Sequence, residues 1–322
     1  MENLSLFGPP EEPPAPDLAA KLARRLAVLS QQDIFIGTSS WKYEGWLNQI
    51  YTPRRYTTRG KFSQKKFEEG CLNEYAETFP VVCGDFSFYQ FPSDDYWRHL
   101  FGSAPSKLRF AFKVPEEITV KVHPTHARYG PRAGLENEAF LNADIFRAMF
   151  FEPLQPYAER CAAFIFEFGT FPKQAFENAD HFLARLDPFL GALPAGGRYS
   201  VEIRNPEFLG PDYFTILRAH NVAHVFNAWS RMPPIHKQIR MPDAFTADFT
   251  VVRALLRFGR VYEQAVEKFQ PYSVIQDPNP ETRGAIRDII ERAKAMRQAS
   301  YIFVNNRLEG NAPGTIEAIT DD

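Results

Sequence analysis

Cysteine is scarce: the 322-residue chain has three, Cys71, Cys83 and Cys161, odd in number, widely spaced and without a C-x-x-C pair. That usage argues against a disulfide framework or a structural zinc and leads us to expect a reducing, cytoplasmic setting. An excess of either charge is lacking too. With a formal net charge of −2, the chain has no global attraction for nucleic acid or an acidic membrane, so any anion site has to be local. No apolar run approaches the ~18 residues of a membrane span, and the amino terminus is acidic and Pro-rich rather than basic and then apolar. Neither secretion nor membrane insertion is expected. Histidines number seven, and their close pairs, His123 with His126 and His220 with His224, resemble no metal site. A nucleotide fingerprint is missing, so no organic cofactor is predicted.

What the chain does have is apolar and aromatic bulk: 44% hydrophobic residues and 30 Phe, enough for a substantial core. Residues 1–16, with five prolines and three glutamates, read as a disordered tail. Residues 17–32 place Leu18, Leu22, Leu26 and Leu29 on one helical face, a helix leading into or capping the bottom of a domain over 33–322. In that domain eight short apolar runs end in polar residues: IFIGTSS, VVCGDFSF, RFAFKV, AAFIFEFG, YSVEIRN, VAHVFNA, FTVVRA and YIFVNN. Helix-period segments lie between most of them, and this alternation predicts a single α/β domain, a parallel (β/α)8 TIM barrel. The sixth connection, MPPIHKQIRMPDAF, has three prolines and no helical stripe; a loop or short turn is expected there. Long loops are expected after the first strand (about 41–66) and the third (about 114–140).

Residues just past each barrel strand converge on one mouth. This geometry selects Thr38, Ser39, Ser40, Asp85, Ser87, Tyr89, Lys113, Glu167, Glu202, Arg204, Asn227, Arg253, Asn305, Asn306 and Glu309. Glu202 and Arg204 are in phase on one strand, so an ion pair is expected, with Glu202 as proton-transfer group and Arg204 holding an anionic or carbonyl group. Lys113 is an electrophile, a second acid or an amine nucleophile. Arg253, Arg257, Arg260 and Arg307 suggest an anion patch, and the His123/His126 loop is a candidate to overhang the mouth. Trp41, Tyr43 and Trp46 form either a stacking wall or the packing of the first loop.

These residues carry a likeness. GTSSWKYEGW, SFYQFP, FAFKVP, VEIRNPEF, TADFTVVR and VNNRLEGNAP, in this order from about Ile34 to Ile319, resemble the YecE-like proteins, also known as domain of unknown function seventy-two. The resemblance implies a TIM barrel with polar strand-end positions at Ser39, Trp41, Lys113, Glu202, Arg204, Arg253, Asn305 and Asn306. It assigns no activity; sugar isomerases and apurinic-site endonucleases are kin in barrel shape alone. The chain departs from the family pattern at Cys83 (usually acidic), Asp85 (usually Asn), Glu167 (usually Gln) and in RALL, which lacks the family's His.

The leading expectation is an enzyme doing acid–base chemistry on a small polar, anionic or sugar-like metabolite. Glu202, Lys113 and Asp85 would be catalytic; Arg204, Arg253, Asn305, Asn306, Ser39, Trp41, Tyr89, Glu167 and Asn227 would bind substrate. A divalent ion on Asp85, Glu167 and Glu202 stays open, though spacing does not call for one. One alternative is a nucleic-acid partner held by Lys42, Arg54, Arg55, Arg59, Lys61, Lys65 and Lys66 with Trp41, Tyr43, Trp46, Tyr51 and Tyr56 as stacking platforms. Another is a barrel that binds its ligand without turnover.

Overall fold

Each of the eight apolar runs forms a strand in the computed structural model, which describes residues 15–85, 87–172 and 175–321. The strands are β1 (Ile34–Ser39), β2 (Val81–Gly84), β3 (Arg109–Lys113), β4 (Cys161–Phe168), β5 (Tyr199–Ile203), β6 (Ala223–Ala228), β7 (Phe249–Ala254) and β8 (Ala299–Val304). Every neighbouring pair is parallel, and β1 pairs with both β2 and β8, which closes the barrel. The expected (β/α)8 architecture is borne out. The stretch read as a tail lies, except for Ala15 and Pro16, outside the described residues.

Alternation along the strands decides what the site is made of. Phe35, Val81, Cys83, Ala111, Ala163, Ile165, Val225, Phe249, Val251, Tyr301 and Phe303 pack together as the apolar barrel interior. In the same phase, at or just past the carboxyl end of each strand, stands a polar residue: Ser39, Asp85, Lys113, Glu167, Glu202, Asn227, Arg253 and Asn305. A polar layer therefore crowns an apolar interior. The opposite parity, including Ile36, Phe112, Phe166, Ile203, Phe226, Val252 and Ile302, packs against the helices. Gly37 on β1 is required by closeness: a Cβ there would lie 1.8 Å from the Val81 carbonyl oxygen.

The helix Asp17–Ser30 buries Ala19, Leu22 and Leu26. It packs on β1 and on the helices Gln64–Thr78 and Ala312–Thr320, and the Ala19 N–H donates to the Gln49 carbonyl in the loop above β1. This places it in the outer helical layer. Side-chain caps start the crossover helices: Ser63, Ser93, Asn178 and Asn279 each accept a backbone N–H of the first turn. The crossover before β4 is not one helix. It breaks into helical, π and 3-10 turns over 143–160, because Pro153 and Pro156 lack the N–H groups a continuous ladder needs. The sixth connection has a single turn, Ile235–Gln238. Helices Tyr262–Phe269 and Ala312–Thr320 add to those expected. Among the described residues, no helix is long and apolar enough to cross a membrane.

Candidate active site

A cavity of about 430 Å³ opens at the carboxyl ends of the strands, lined by Ser39, Asp85, Tyr89, Lys113, Glu167, Arg204, Arg253 and Asn305 of the expected set. Its floor is a charge network. One oxygen of Glu167, Oε2, accepts from Lys113 Nζ at 3.1 Å, Arg204 Nη2 at 2.9 Å and Arg253 Nη1 at 2.7 Å. Glu202 takes Arg204 on Oε1, with both Nε and Nη2 at 2.9 Å, and Arg253 on Oε2. Lys113 also reaches Asp85 Oδ1 at 2.9 Å. Three cations thus meet three carboxylates, which is what allows ionised groups to be buried at all.

Rings complete the walls. Arg204 lies 3.7 Å from the Trp229 ring centroid and Lys113 3.5 Å from that of Phe88. Burial alone would raise the Glu167 carboxyl, but the charges of Arg204, Lys113 and Arg253 overturn that and hold it below the usual carboxylate range. Burial works against the Arg253 charge; Glu202, Cys83 and Glu167 more than restore it. Cys83, at the cavity floor, is pushed up to about 11 by desolvation, which makes it a poor nucleophile at neutral pH.

The pairing of Glu202 with Arg204 is as the strand phase indicated. Glu202, however, has 0% exposure and does not line the cavity. Asp85 is the accessible carboxylate, its side chain 53% exposed. Asn306 and Asn227 are also buried outside the lining. Asn306 Oδ1 accepts from Trp46 Nε1 at 3.2 Å and from the Ala312 N–H at 2.7 Å, tying the first loop to the last helix. Asn227 donates to the Ile203 carbonyl at 3.2 Å. Trp41 packs half-buried against the core, off the cavity. Glu309 is held by Arg283, Thr315 and the Asn279 N–H as a structural hub.

The arginine patch separates into parts. Arg257 and Arg260 both pair with Asp277, whereas Arg253 and Arg307 line the cavity. The loop after β3 does reach the mouth, through Arg128 rather than its histidines. Arg128 pairs with Glu116 at 2.8 Å and lies 4.4 Å from the Tyr89 ring centroid. Sequence reading missed Arg128, Trp229 and Tyr262, whose positions depend on loop paths that no periodicity encodes. In the basic first loop, Trp46, Tyr51 and Tyr56 are buried and pack on one another, so they offer no stacking face. Among the described residues no cluster of three His, Cys, Asp or Glu side chains could hold a metal ion. Lys113 stands between Asp85 and Glu167, where a bridging cation would have to sit.

No curated protein matches the chain. Solved structures share its fold. A DUF72 family protein from Thermotoga maritima is 17% identical, with a TM-score of 0.56, over 88% of this chain and 96% of that one. Another from Enterococcus faecalis is 15% identical, with a TM-score of 0.57, over 89% of this chain and 95% of that one. Such identities speak for the fold alone. The family described as "Protein of unknown function DUF72" matches residues 35–322. The likeness carried by the six motifs is thus borne out, and the chain belongs to the DUF72 family.

Proposed function

We propose that the protein is an enzyme acting by acid–base chemistry on a small, hydroxylated, anionic or sugar-like metabolite bound in this cavity, with Asp85 and Lys113 as the reacting pair. The observation that carries the reading is their arrangement: a half-exposed carboxylate 2.9 Å from an ammonium that is itself buried and braced from behind by Glu167. Asp85 can take a proton from a substrate C–H or O–H while Lys113 donates to the oxygen on which charge develops. With its nitrogen held by two carboxylates, Lys113 serves as a hydrogen-bond donor rather than a free amine nucleophile. Glu202, both of whose oxygens are engaged by guanidinium groups, is better suited to positioning Arg204 and Arg253 than to moving protons. Ser39, whose hydroxyl has no partner among the described residues, is suited to hydrogen-bond the ligand, whereas the Asn305 amide already donates to the Ser39 carbonyl and accepts from the Arg307 N–H.

The test is a panel of aldoses, ketoses, sugar acids and their phosphates incubated with the protein in D2O and followed by NMR. Solvent deuterium or product should accumulate with the wild type and stop in Asp85→Asn and Lys113→Gln while ligand binding persists. A ligand that binds tightly and is never turned over would replace the enzyme reading with that of a binding protein.

A further inference from the structure

Counting charges in the cavity singles out one residue. Lys113, Arg204 and Arg253 are balanced by Asp85, Glu167 and Glu202, and Arg128 by Glu116. Arg307, the remaining cation of the lining, has no carboxylate within salt-bridge distance among the described residues. The carboxylate of Asp277 is taken by Arg257, Arg260 and Lys268 rather than by Arg307. Arg307 Nε is buried without a hydrogen-bond partner among the described residues. Its guanidinium lies 4.6 Å from the Tyr262 ring centroid. The edge-to-face pair Tyr43–Tyr272 stands beside it: burial pushes both hydroxyls up and the Arg307 charge opposes the shift. A second buried group points the same way. Ser39, 7% exposed and part of the lining, has a hydroxyl with no partner among the described residues.

A partly buried guanidinium with no carboxylate partner, in the same cavity as a buried hydroxyl with no partner among the described residues, is an unfavourable arrangement until an anion meets it. We infer that Arg307 anchors the single anionic group, phosphate or carboxylate, of a ligand whose uncharged hydroxylated remainder lies over the Asp85–Lys113 pair. The network of Lys113, Arg204 and Arg253 with Asp85, Glu167 and Glu202 is balanced and has no net charge to offer a second anion. This rests on the proposed function and adds to it the direction in which the ligand lies.

The test uses inorganic phosphate, ribose 5-phosphate, ribonate and ribose as probes, with binding measured by calorimetry and by thermal shift. Wild type and Arg257→Gln should bind the anionic probes alike. Arg307→Gln should weaken them by roughly tenfold or more, as expected for loss of a charge-assisted fork, and leave ribose unchanged. Arg307→Lys keeps the charge and loses the fork, and should weaken them several-fold; it decides the matter if Arg307→Gln folds poorly. The tighter of ribose 5-phosphate and ribonate distinguishes phosphate from carboxylate. Full affinity in folded Arg307 variants would overturn the inference. If affinity is then lost in Arg128→Gln instead, the anchor is misplaced while the proposed function stands. If the wild type binds no anionic probe, the inference fails with it; ribose binding alone would leave an uncharged-sugar version of the function.

Discussion

Removing the charge of Glu202 should unfold the protein more readily rather than merely silence it. The side chain is fully buried and its two oxygens engage Arg204 and Arg253. In Glu202→Gln both guanidiniums remain buried and share the Glu167 carboxylate, each with less compensation than before. Breaking a buried ion pair by removing one partner costs about 3–5 kcal/mol. Because Gln keeps the shape and one acceptor oxygen, the lower end applies, about 3 kcal/mol. At about 2 °C per kcal/mol for a chain of this size, the unfolding midpoint falls by about 6 °C. Scanning calorimetry and urea unfolding of ligand-free protein measure this directly. The control is Glu69→Gln, whose partner Lys65 lies 3.9 Å away with both side chains largely exposed; its loss should stay below about 0.5 kcal/mol. A Glu202→Gln loss under about 1 kcal/mol would refute the view that this network is a desolvated, mutually dependent unit.

The remaining expectations concern single groups. Asp85→Asn should lower the unfolding midpoint by less than Glu202→Gln does, because its side chain is half-exposed and Lys113 keeps Glu167 as a partner, while abolishing turnover; a drop as large as that of Glu202→Gln would mark Asp85 as structural. His224 is pushed down to about 4 by burial, with the Gln238 hydrogen bond opposing, against an ordinary value of 6.5. A lowered folded-state value means that its stability contribution is complete above about 6.5 and is lost as pH falls through the folded value, on the order of 3 kcal/mol in all. Unfolding midpoints of His224→Asn should therefore depend less steeply on pH between these limits; an unchanged slope would contradict this. Cys71, Cys83 and Cys161 are buried, and desolvation raises all three thiols, so a thiol reagent should label none in the native protein at pH 8 and all three in guanidinium.

The barrel was legible because two periods repeat. Runs such as FAFKV and VVRA carry strand alternation, and the segments between carry helical stripes. The same alternation exposed most of the site: Asp85, Lys113, Glu167 and Arg253 are each the next residue in phase after an apolar interior position, so a strand-end rule found them. What alternation could not give was depth. Glu202 and Asp85 obey the same rule, yet one is sealed under two arginines and the other faces solvent. That difference follows from where Arg204 and Arg253 lie, on β5 just past its end and on β7. Loop contributions were hidden for another reason. Arg128, Trp229 and Tyr262 reach the cavity from irregular connections, and Trp46, Tyr51 and Tyr56 turn inward, the packing outcome that composition left open beside a stacking surface.

The most direct measurement is thermal shift of the wild type against small sugars, sugar acids, sugar phosphates and a short single-stranded oligonucleotide. A small hydroxylated anion at about 100 times its Kd should add about 2.7 kcal/mol to stability and raise the midpoint by about 5 °C. That shift should persist in Lys65→Glu and fall to about 3 °C or less in Arg307→Gln, where a roughly tenfold weaker ligand stands at only about 10 times its Kd. A shift produced by the oligonucleotide alone, and lost as salt rises toward about 0.2 M, would contradict a metabolite site and return function to the basic first loop.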